Sequence, residues 1–553
     1  MFNADFTGGM RGAAALKPLL MLLLLLVGSV TLSISLLSGQ AHFQPDSASY
    51  VEQARSALEG KGFLSRGFSS DETGPGASSH GTKRPDFLFP PGYPIAIAVG
   101  SAISGDSAES VALWVTRISL LLLPITIFIV LEPLGGIWAA FCIALVVGAS
   151  PGVMHNGLVA SSDMLSLILT IVSFGAVLTA IAGDGALPRY TYAFVGGLVG
   201  GLSYVTRNAN IALIASLSVS FAVALYFSPP SKRWELAGKA GLYAAGAGLA
   251  IVPLIVRNIW VFGSLQPYHM MPSTVGLFTN IHYYVVAQFI EILGSHRWGH
   301  RLGWSAAGMG GFIAVGTLAA LAAVRGWQKF STAERVIFIS SLLYAFVGAA
   351  VVIIARTKYQ WGELISIRHA MPYTAPILLA LAIGLSRNFG KRMALLTIGT
   401  ALMSIWCFIR LPDIYEEAFE RHSSREADIE QAVRQESTTN NGPCAHDSYS
   451  AVISNYAYLY RIFCDIDAVH FTSLPYLEIP VRYPVEIITS FGSESGIAGP
   501  ATIALHPGRG VGDGSLPISA QDAASLQTAG WSTMINTPNT LVVSRGDRAS
   551  SVQ

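Results

Sequence analysis

Long apolar segments recur through residues 1–410, and they decide what this chain can fold into. A run of roughly 20 apolar residues can cross the hydrocarbon core of a bilayer as a helix. About eleven such segments are predicted, near residues 18–38, 110–131, 135–149, 164–182, 190–206, 209–227, 240–256, 305–324, 336–354, 370–386 and 393–409. Backbone groups inside a bilayer need partners within their own helix. The prediction is therefore an all-α polytopic membrane protein.

The composition agrees with lipid as the solvent for most of the chain. Of the 553 residues, 52% are hydrophobic and 12% are charged, whereas soluble proteins carry about 25% charged residues. The net charge of +1 gives no broad basic field for nucleic acid, so the expected partner is the lipid bilayer. The first segment could be a signal peptide, but its apolar run is long and a small-residue cleavage site is not evident. We interpret it as a retained anchor.

The distribution of Lys and Arg predicts the orientation, because these residues favour cytoplasmic loops. With a cytoplasmic N-terminus, the outer loops are 41–107, 150–163, 207–208, 257–304 and 355–369. The inner loops then hold as many Lys and Arg in less than half the length. This orientation also puts the tail 411–553 outside. We expect a multi-pass protein of the cell inner (plasma) membrane.

Two domains are predicted. Residues 1–410 form the transmembrane domain, in which loop 41–107 carries interfacial helices. The polar tail 411–553 contains "AVISNYAYLYRIF", "PVEIITSF" and "NTLVVSR", which favour strands, so a small extracytoplasmic α/β domain is expected. Cys444 and Cys464 lie in this tail and could pair in an oxidising compartment. Two cysteines alone leave that pairing open.

The first outer loop begins with a predicted helix in "SASYVEQARSALEGKGF". Asp46 would cap this helix or immediately precede it. The apolar residues that share one face are Ala48, Val51, Ala54, Ala57 and Leu58. Gly60 and Gly62 would end the helix, which is expected to lie along the membrane surface. In the following "FPPGYP" the prolines predict that no regular helix runs through 90–94.

Two carboxylates and several cations fall at the predicted outer ends of the spans. Asp46 follows the first span and Asp163 begins the fourth. The cations on the same side are Arg207, Arg257, Arg356, Lys358 and Arg368. Each residue has a structural alternative, since a carboxylate can cap a helix and an arginine can extend to the interface. Together they suit displacement of a phosphate leaving group by an alcohol, because arginine matches phosphate geometry and a carboxylate can accept the hydroxyl proton.

An ordered series of short pieces resembles a known family. The pieces are "PDSASYVEQARSALEGKGF", "FPPGYPIAIA", "SSDMLSLILTIVSF", "GGLVGGLSYVTRNANIAL", "PLIVRNIWVFGSL" and "RHAMPYTAPILLALAIGL". They resemble membrane glycosyltransferases of the C-type (GT-C) fold, in the branch that uses polyprenyl-phosphate sugars. That branch includes protein O-mannosyltransferases, lipid A aminoarabinose transferases and rhizobial lipid A galacturonosyltransferases. The series covers roughly residues 40–385.

The resemblance implies a role for each of these residues. Asp46 would act as the base or orient the acceptor, and Asp163 would be the second acidic residue. The donor phosphate would be bound by Arg257 and Arg368, more loosely by Arg207, with Arg356 and Lys358 nearby. The donor groove would be shaped by Tyr50, Pro91, Gly92 and Tyr93.

One departure from the family bears on metal binding. Some relatives carry a paired acidic motif in the first outer loop, whereas Asp46 is followed here by Ser47. We therefore predict no cofactor and no strong metal site. A divalent cation shared by Asp46, Asp163 and either His42 or His155 is kept as a lesser alternative.

The expected function is transfer of a sugar from a polyprenyl-phosphate donor to a hydroxyl of a glycolipid, polysaccharide or protein, with inversion. A lipid-linked sugar transporter or flippase is one alternative, although such proteins favour mid-span charges and internal symmetry. A polymerase or ligase of surface polysaccharide is another, which the sequence does not separate from the first. The sugar and the acceptor stay open.

Overall fold

The structure is a computed structural model that describes most of the helical part of the chain. The described residues are 17–28, 43–66, 83–182, 187–267, 272–293, 324, 327–359, 364–389, 424–439, 444, 452–466, 468–470, 484, 488, 501–506, 516–537 and 540–545.

Thirteen helices precede the tail in the described part of the chain. They are α1 (Lys17–Gly28), α2 (Pro45–Leu58), α3 (Gly92–Ser104), α4 (Ala108–Gly135), α5 (Ile137–Gly148), α6 (Pro151–Leu158), α7 (Ser162–Ala182), α8 (Leu187–Thr206), α9 (Ile211–Phe227), α10 (Pro230–Phe262), α11 (Leu277–Leu293), α12 (Thr332–Lys358) and α13 (Ile367–Phe389). A short antiparallel pair, β1 (Leu64–Ser65) and β2 (Arg84–Pro85), lies in the first loop.

Several of these helices have the length and composition of membrane spans. Five qualify, namely α4, α7, α9 with its preceding turn, α10 and α12, and the pair α5–α6, bent by 55°, makes a sixth. They coincide with six predicted spans, while α8 and α13 occupy the predicted spans 190–206 and 370–386. The predicted spans 305–324 and 393–409, and the end of 18–38, lie outside the described residues. The protein is a multi-pass membrane protein.

Two helices, α6 and α11, lie where the sequence predicted outer loops. Helix α11 was missed because polar residues interrupt its apolar pattern. Those residues are satisfied by distant partners: Gln288 donates to Thr374 Oγ1 at 2.9 Å, and Glu291 accepts from Ser150 Oγ at 2.5 Å. Glu291 also accepts from the amide of Gly152 at 2.8 Å, which ties α11 to the start of α6.

Helix α2 begins slightly earlier than predicted. Gln44 is the N-cap and Pro45 is the first helical residue, so Asp46 lies in the first turn. Gln44 and Ser47 form a capping box, which leaves the Asp46 carboxylate available for other contacts. After the helix, Gly60 and Gly62 adopt φ values of 72° and 84°, a left-handed conformation that costs glycine little.

The position of α2 along a membrane surface stays a prediction, but its polar face is covered by protein. Ala48, Val51 and Ala54 are buried as expected, but Glu52 and Gln53 are also fully buried. The second face is covered because a helix of the tail packs against it.

Helix α3 starts inside the proline-rich segment, contrary to the prediction. Pro94 lies in the first turn of α3, where an amide has no intrahelical acceptor and proline is therefore tolerated. Gly92 begins this helix against the end of α8. A Cβ atom at Gly92 would lie 2.7 Å from Thr206 Oγ1 and 2.7 Å from the carbonyl oxygen of Val205, so a side chain there would push α8 away.

The described tail contains helices and a mixed sheet. Its elements are α14 (Ser424–Thr439), β3 (Val452–Ser454), α15 (Ala457–Phe463), β4 (Ala468–His470), β5 (Ala501–Leu505), α16 (Ala520–Thr528), β6 (Ser532–Thr537) and β7 (Thr540–Arg545). The strand order is β4-β3-β5-β7-β6, in which β4, β3 and β5 are parallel and β7 and β6 are antiparallel additions. Strands occur in two of the three predicted segments. The third, "PVEIITSF", was predicted wrongly where it is described, because Pro484 and Ile488 are helical.

The sheet of the tail has two buried faces. Side chains alternate along a strand, so Ile503 and Leu505 join one core while Ala504 joins another. The second core also contains Ala48, Val51 and Tyr456, and is therefore shared with α2. Cys444 and Cys464 are disulfide-bonded, with Cα atoms 5.2 Å apart.

A buried ion network also joins α2 to the tail. The Glu52 carboxylate accepts bonds from Arg461 at 3.0 and 2.5 Å and from Arg66 Nη1 at 2.6 Å. Arg66 and Lys83 in turn pair with Asp465, at 3.0 and 3.1 Å. A carboxylate with two guanidinium partners is compensated for its loss of water.

We expect Glu52→Gln to destabilise the folded protein at neutral pH. Burial alone raises the pKa of Glu52, but Arg461 and Arg66 outweigh it and lower that pKa from 4.5 to about 2. Each pKa unit is worth about 1.4 kcal/mol, so a loss of roughly 3 kcal/mol in the free energy of unfolding is expected. Because the pKa is lowered by folding, this stabilisation is present above about pH 4.5 and is lost as the pH falls towards 2.

Unfolding of the purified protein in detergent at pH 7 and pH 3 measures both effects. Glu59→Gln is the control, because Glu59 pairs with Lys61 at the surface, where ion pairs contribute little. A penalty for Glu52→Gln that is equally large at both pH values would contradict this account.

Candidate active site

The predicted charged residues come from helix ends at one end of the bundle. Helices α7 and α8 are consecutive and packed together, so the start of α7, with Asp163, lies beside the end of α8, which precedes Arg207. Asn210 holds this turn in place, since its amide donates to Ser166 Oγ at 2.6 Å and to Ser203 Oγ at 2.6 Å.

Four of these residues form one ion cluster, which consists of Asp46, Asp163, Arg207 and Arg368. Arg207 pairs with Asp163. Arg368 Nη2 lies 3.2 Å from Asp46 Oδ2, and its Nε lies 3.9 Å from Asp163 Oδ2. The Asp163 side chain is 2% exposed and that of Asp46 is 27% exposed. Arg368 thus bridges a buried carboxylate and an accessible one.

Two hydrogen bonds hold the Asp46 end of α2 beside the start of α7. Ser47 Oγ donates to the carbonyl oxygen of Ala160 at 2.7 Å, and the Tyr50 hydroxyl lies 2.9 Å from Ser162 Oγ. Burial and the nearby Asp46 carboxylate raise the pKa of Tyr50. The phenol therefore stays protonated.

Of the four predicted groove residues, Tyr50, Pro91 and Tyr93 are buried and Gly92 is partly exposed. The Tyr50 ring makes edge contacts with Phe89 and Tyr93, at centroid distances of 5.0 and 5.1 Å. The Tyr93 hydroxyl donates to the carbonyl oxygen of Ala112 at 2.7 Å. Pro91 is buried, and Gly92 packs on the end of α8.

A small open cleft lies next to this packing. It is lined by Asp86, Phe87, Phe89, Pro90, Tyr204, Asn208, Leu254, Arg257, Asn258, Gln266 and Pro267. Phe89 belongs to both the cleft and the contacts of Tyr50. Phe89 therefore links the cleft to Tyr50, which packs beside the start of α7.

Arg257 lines this cleft, and none of its described contacts is with the cluster. Its Nη2 donates to the carbonyl oxygen of Asp86 at 3.0 Å, and its Nη1 to Asn258 Oδ1 at 3.1 Å. Both acceptors are neutral oxygens. The Asp86 carboxylate, which also lines the cleft, lies within electrostatic range of Arg257. The hydrogen bonds of Arg257 itself still go to neutral oxygens, which leaves its guanidinium able to bind an anion.

Asp86 shapes the cleft and was missed in the sequence analysis. Its buried carboxylate accepts from Ser65 Oγ at 2.6 Å and from the amides of Leu88 and Phe89 at 2.8 and 2.9 Å. Burial raises the pKa of Asp86. An aspartate that binds amides two and three residues onward forms an Asx turn, and "PDFLF" before a proline pair is the sequence signal for it.

The remaining predicted cations lie at the end of α12. Arg356 is fully buried and donates to Ser273 Oγ at 2.8 Å. It lies within electrostatic range of His369, as do Arg207 and Arg368. Lys358 is placed over the ring of Tyr359, 5.1 Å from its centroid.

The arrangement fits a metal ion poorly. Among the described residues no group of three or more His, Cys, Asp or Glu side chains comes together. Arg368 stands between Asp46 and Asp163, where it supplies the positive charge that a cation shared by these carboxylates would supply. His42 lies outside the described residues.

The overall fold resembles that of solved glycosyl-transfer proteins. ArnT from Cupriavidus metallidurans bound to undecaprenyl phosphate superimposes with a TM-score of 0.58 at 13% identity, over 96% of this chain and 99% of that one. The oligosaccharyltransferase of Archaeoglobus fulgidus in its apo form gives a TM-score of 0.51 at 11% identity, over 88% of this chain and 69% of that one. The chain has the GT-C fold. No protein-family model and no curated protein sequence matches it.

The GT-C fold predicted from the ordered sequence pieces is thereby confirmed. The apo form of ArnT shows the same likeness, with a TM-score of 0.55 over 95% of this chain. Because identity is 12% for that pair, the likeness concerns the fold, and the roles of the site residues rest on their own geometry.

We expect Asp163→Asn to destabilise the GT-C bundle, because Arg207 and Arg368 would lose a buried compensating charge. Breaking a buried ion pair costs about 3–5 kcal/mol. The loss appears as a lower midpoint of thermal unfolding in detergent. Asp106→Asn, an exposed position between α3 and α4, is the matched control. Equal midpoints for the two variants would show that the Asp163 pairs contribute nothing to stability.

Proposed function

We propose that this protein is a membrane glycosyltransferase that moves a sugar from a polyprenyl-phosphate donor to an acceptor hydroxyl. One observation carries the proposal: Asp46 and Asp163 meet Arg207 and Arg368 at one end of a GT-C bundle. The similar ArnT structure holds undecaprenyl phosphate, which is a polyprenyl phosphate. The acceptor is a glycolipid, polysaccharide or protein.

We place the reaction on the extracytoplasmic face of the inner (plasma) membrane. The density of Lys and Arg in the opposite loops supports this orientation. The disulfide between Cys444 and Cys464 supports it too, because such bonds persist in oxidising compartments. We propose that residues 1–410 form the transferase domain and 411–553 an extracytoplasmic domain.

Asp46 is the proposed base, because it is the more exposed of the two carboxylates. The acceptor oxygen bonds to the anomeric carbon as the bond from that carbon to the phosphate oxygen breaks. The acceptor proton ends on Asp46, and the electron pair leaves with the polyprenyl phosphate. A single displacement inverts the anomeric centre. Asp163 stays paired with Arg207 and holds Arg368 against Asp46.

The leaving phosphate is proposed to bind between Arg257 and the cluster. Arg257 lines the cleft with neutral partners, so an anion can bind it without displacing a carboxylate. Arg368 is proposed to contact the phosphate from the side of the cluster. Arg207, Arg356 and Lys358 are proposed to add positive charge around it. Electrostatic stabilisation of a developing phosphate charge is a large catalytic effect. Tyr50, Pro91, Gly92 and Tyr93 form the groove by fixing Phe89 and Pro90.

Asp46→Asn is expected to abolish sugar transfer or nearly so, with a decrease of about 10²–10⁴-fold in kcat, the range that general-base catalysis contributes. The assay supplies labelled polyprenyl-phosphate sugars and candidate acceptors to the protein in liposomes and follows the labelled product. Asp106→Asn should transfer normally. Near-normal transfer by correctly inserted Asp46→Asn would exclude Asp46 as the base. Movement of the labelled lipid across the bilayer without a new glycosidic bond would instead favour a flippase.

Arg257→Gln is expected to raise KM for the donor by about tenfold or more, since a charged hydrogen bond contributes about 1.5–3 kcal/mol. Binding of the polyprenyl phosphate alone should weaken to a similar degree, because the lost contact is with the phosphate. Arg189→Gln is the matched control, since Arg189 lies at the opposite end of α8 and donates to the carbonyl oxygen of Thr179. Unchanged binding by Arg257→Gln would remove Arg257 from the donor site.

A further inference from the structure

Arg461 connects the tail to the helix that carries Asp46. Its guanidinium binds both oxygens of Glu52, at 3.0 and 2.5 Å, in a parallel two-bond arrangement. The side chains are 7% and 0% exposed. Such a fork-to-fork pair restricts direction as well as distance, so Arg461 fixes the orientation of Glu52 about the axis of α2.

A second attachment lies one turn further along α2. Arg55 Nη2 donates to Glu109 Oε2 at 2.7 Å and to the carbonyl oxygen of Ile462 at 2.7 Å. It therefore joins α2 to α4 and to the tail at one point. Phe463, next to Ile462, makes an edge contact with Phe43 just ahead of α2, at a centroid distance of 5.5 Å. The tail thus touches α2 near both ends.

Because α2 is a continuous helix, contacts that fix Glu52 and Arg55 also restrict the position of the Asp46 carboxylate. Asp46 and Glu52 are six residues apart, about 9 Å along the axis. Side-chain atoms stand about 5 Å from that axis, so a rotation of roughly 12° moves a carboxylate by about 1 Å. A 1 Å misplacement of a catalytic group can cost about 10²-fold in rate.

We propose that Arg461 is a positioning residue, which acts through Glu52 to hold Asp46 in the reactive orientation. This inference rests on the proposed role of Asp46 as the base. It gives the tail a part in forming the active site: α2 is fixed at its Asp46 end by Ser47 and Tyr50, and at its far end by the tail. Sugar transfer therefore requires a docked tail, although no described tail residue belongs to the ion cluster or lines the cleft.

The test uses the full chain with Arg461→Met, which keeps most of the side-chain length and removes the charge. We expect kcat to fall about tenfold or more. KM for the donor should stay within about twofold, because Arg461 does not line the Arg257 cleft and acts on it at a distance, through the charge of Asp86. Arg461→Lys should recover part of the rate, since it restores the charge without the two-bond geometry. Lys61→Met is the control, because it removes a surface ion pair with Glu59 next to α2.

A double-mutant cycle separates positioning from a general structural effect. In an Asp46→Glu background the base is already displaced, so Arg461→Met should cost much less than it does in the native chain. Full additivity of the two effects would overturn the proposal. Hydrogen exchange of the backbone amides at 47–50 gives a readout independent of activity, and Arg461→Met, unlike Lys61→Met, should accelerate it.

The outcomes distinguish this inference from the proposed function. Absence of transfer by the native protein, with its acceptors supplied, would refute the function and the inference that rests on it. Normal kcat and unchanged exchange in folded Arg461→Met would refute the inference alone. Should Arg461→Met fail to fold, Arg461→Lys decides the question, because it keeps the charge and removes the two-bond pairing with Glu52. It should lower kcat by about threefold, and unchanged kcat with unchanged exchange at 47–50 would overturn the proposal.

Discussion

The buried carboxylate of Asp163 is the charge around which the site is organised. It stands at the start of a membrane helix, where the amide dipoles favour an anion, and it pairs with Arg207 and Arg368. Removing ions from water is costly unless the partners are close and well oriented. Three helices that begin or end at this level are therefore held together by charge, and Arg368 is left with one side facing the accessible carboxylate of Asp46.

Helix α2 takes part in two groups of ion pairs. In its first turn, Asp46 pairs with Arg368, and in its middle, Glu52 pairs with Arg66 and Arg461. The same helix is buried among apolar residues of the bundle and of the tail. Helix α2, which was predicted to lie along the membrane surface, thus packs between the helix bundle and the tail. This packing explains how the position of Asp46, in the first loop, is fixed.

The sequence predicted the convergence of the charged residues better than their surroundings, for physical reasons. Hydropathy gives the order of the spans and the direction in which each one crosses the membrane. The alternation of direction alone puts Asp163 and Arg207 at the same end of neighbouring helices. The polar face of α2 could not be predicted as buried, because Glu52 gains its partner Arg461 from far along the chain. Helix α11 was missed for a similar reason. From the sequence, Glu291 indicates a loop, and only the structure shows that Ser150 and Gly152 donate hydrogen bonds to its buried carboxylate.

The charges of the cluster also constrain where a phosphate can bind. Two carboxylates and two guanidinium groups balance one another, so an anion that entered the cluster would have to displace Asp46 or Asp163. The hydrogen bonds of Arg257 go to neutral oxygens, so an anion there would displace no carboxylate from a hydrogen bond, although the Asp86 carboxylate is within electrostatic range. In the proposed reaction, this division would leave Asp46 to take a proton while the leaving group is stabilised from the neighbouring cleft. Phe89 touches Tyr50 and also lines the cleft, so it is the described residue that connects the proposed base region with the proposed phosphate site.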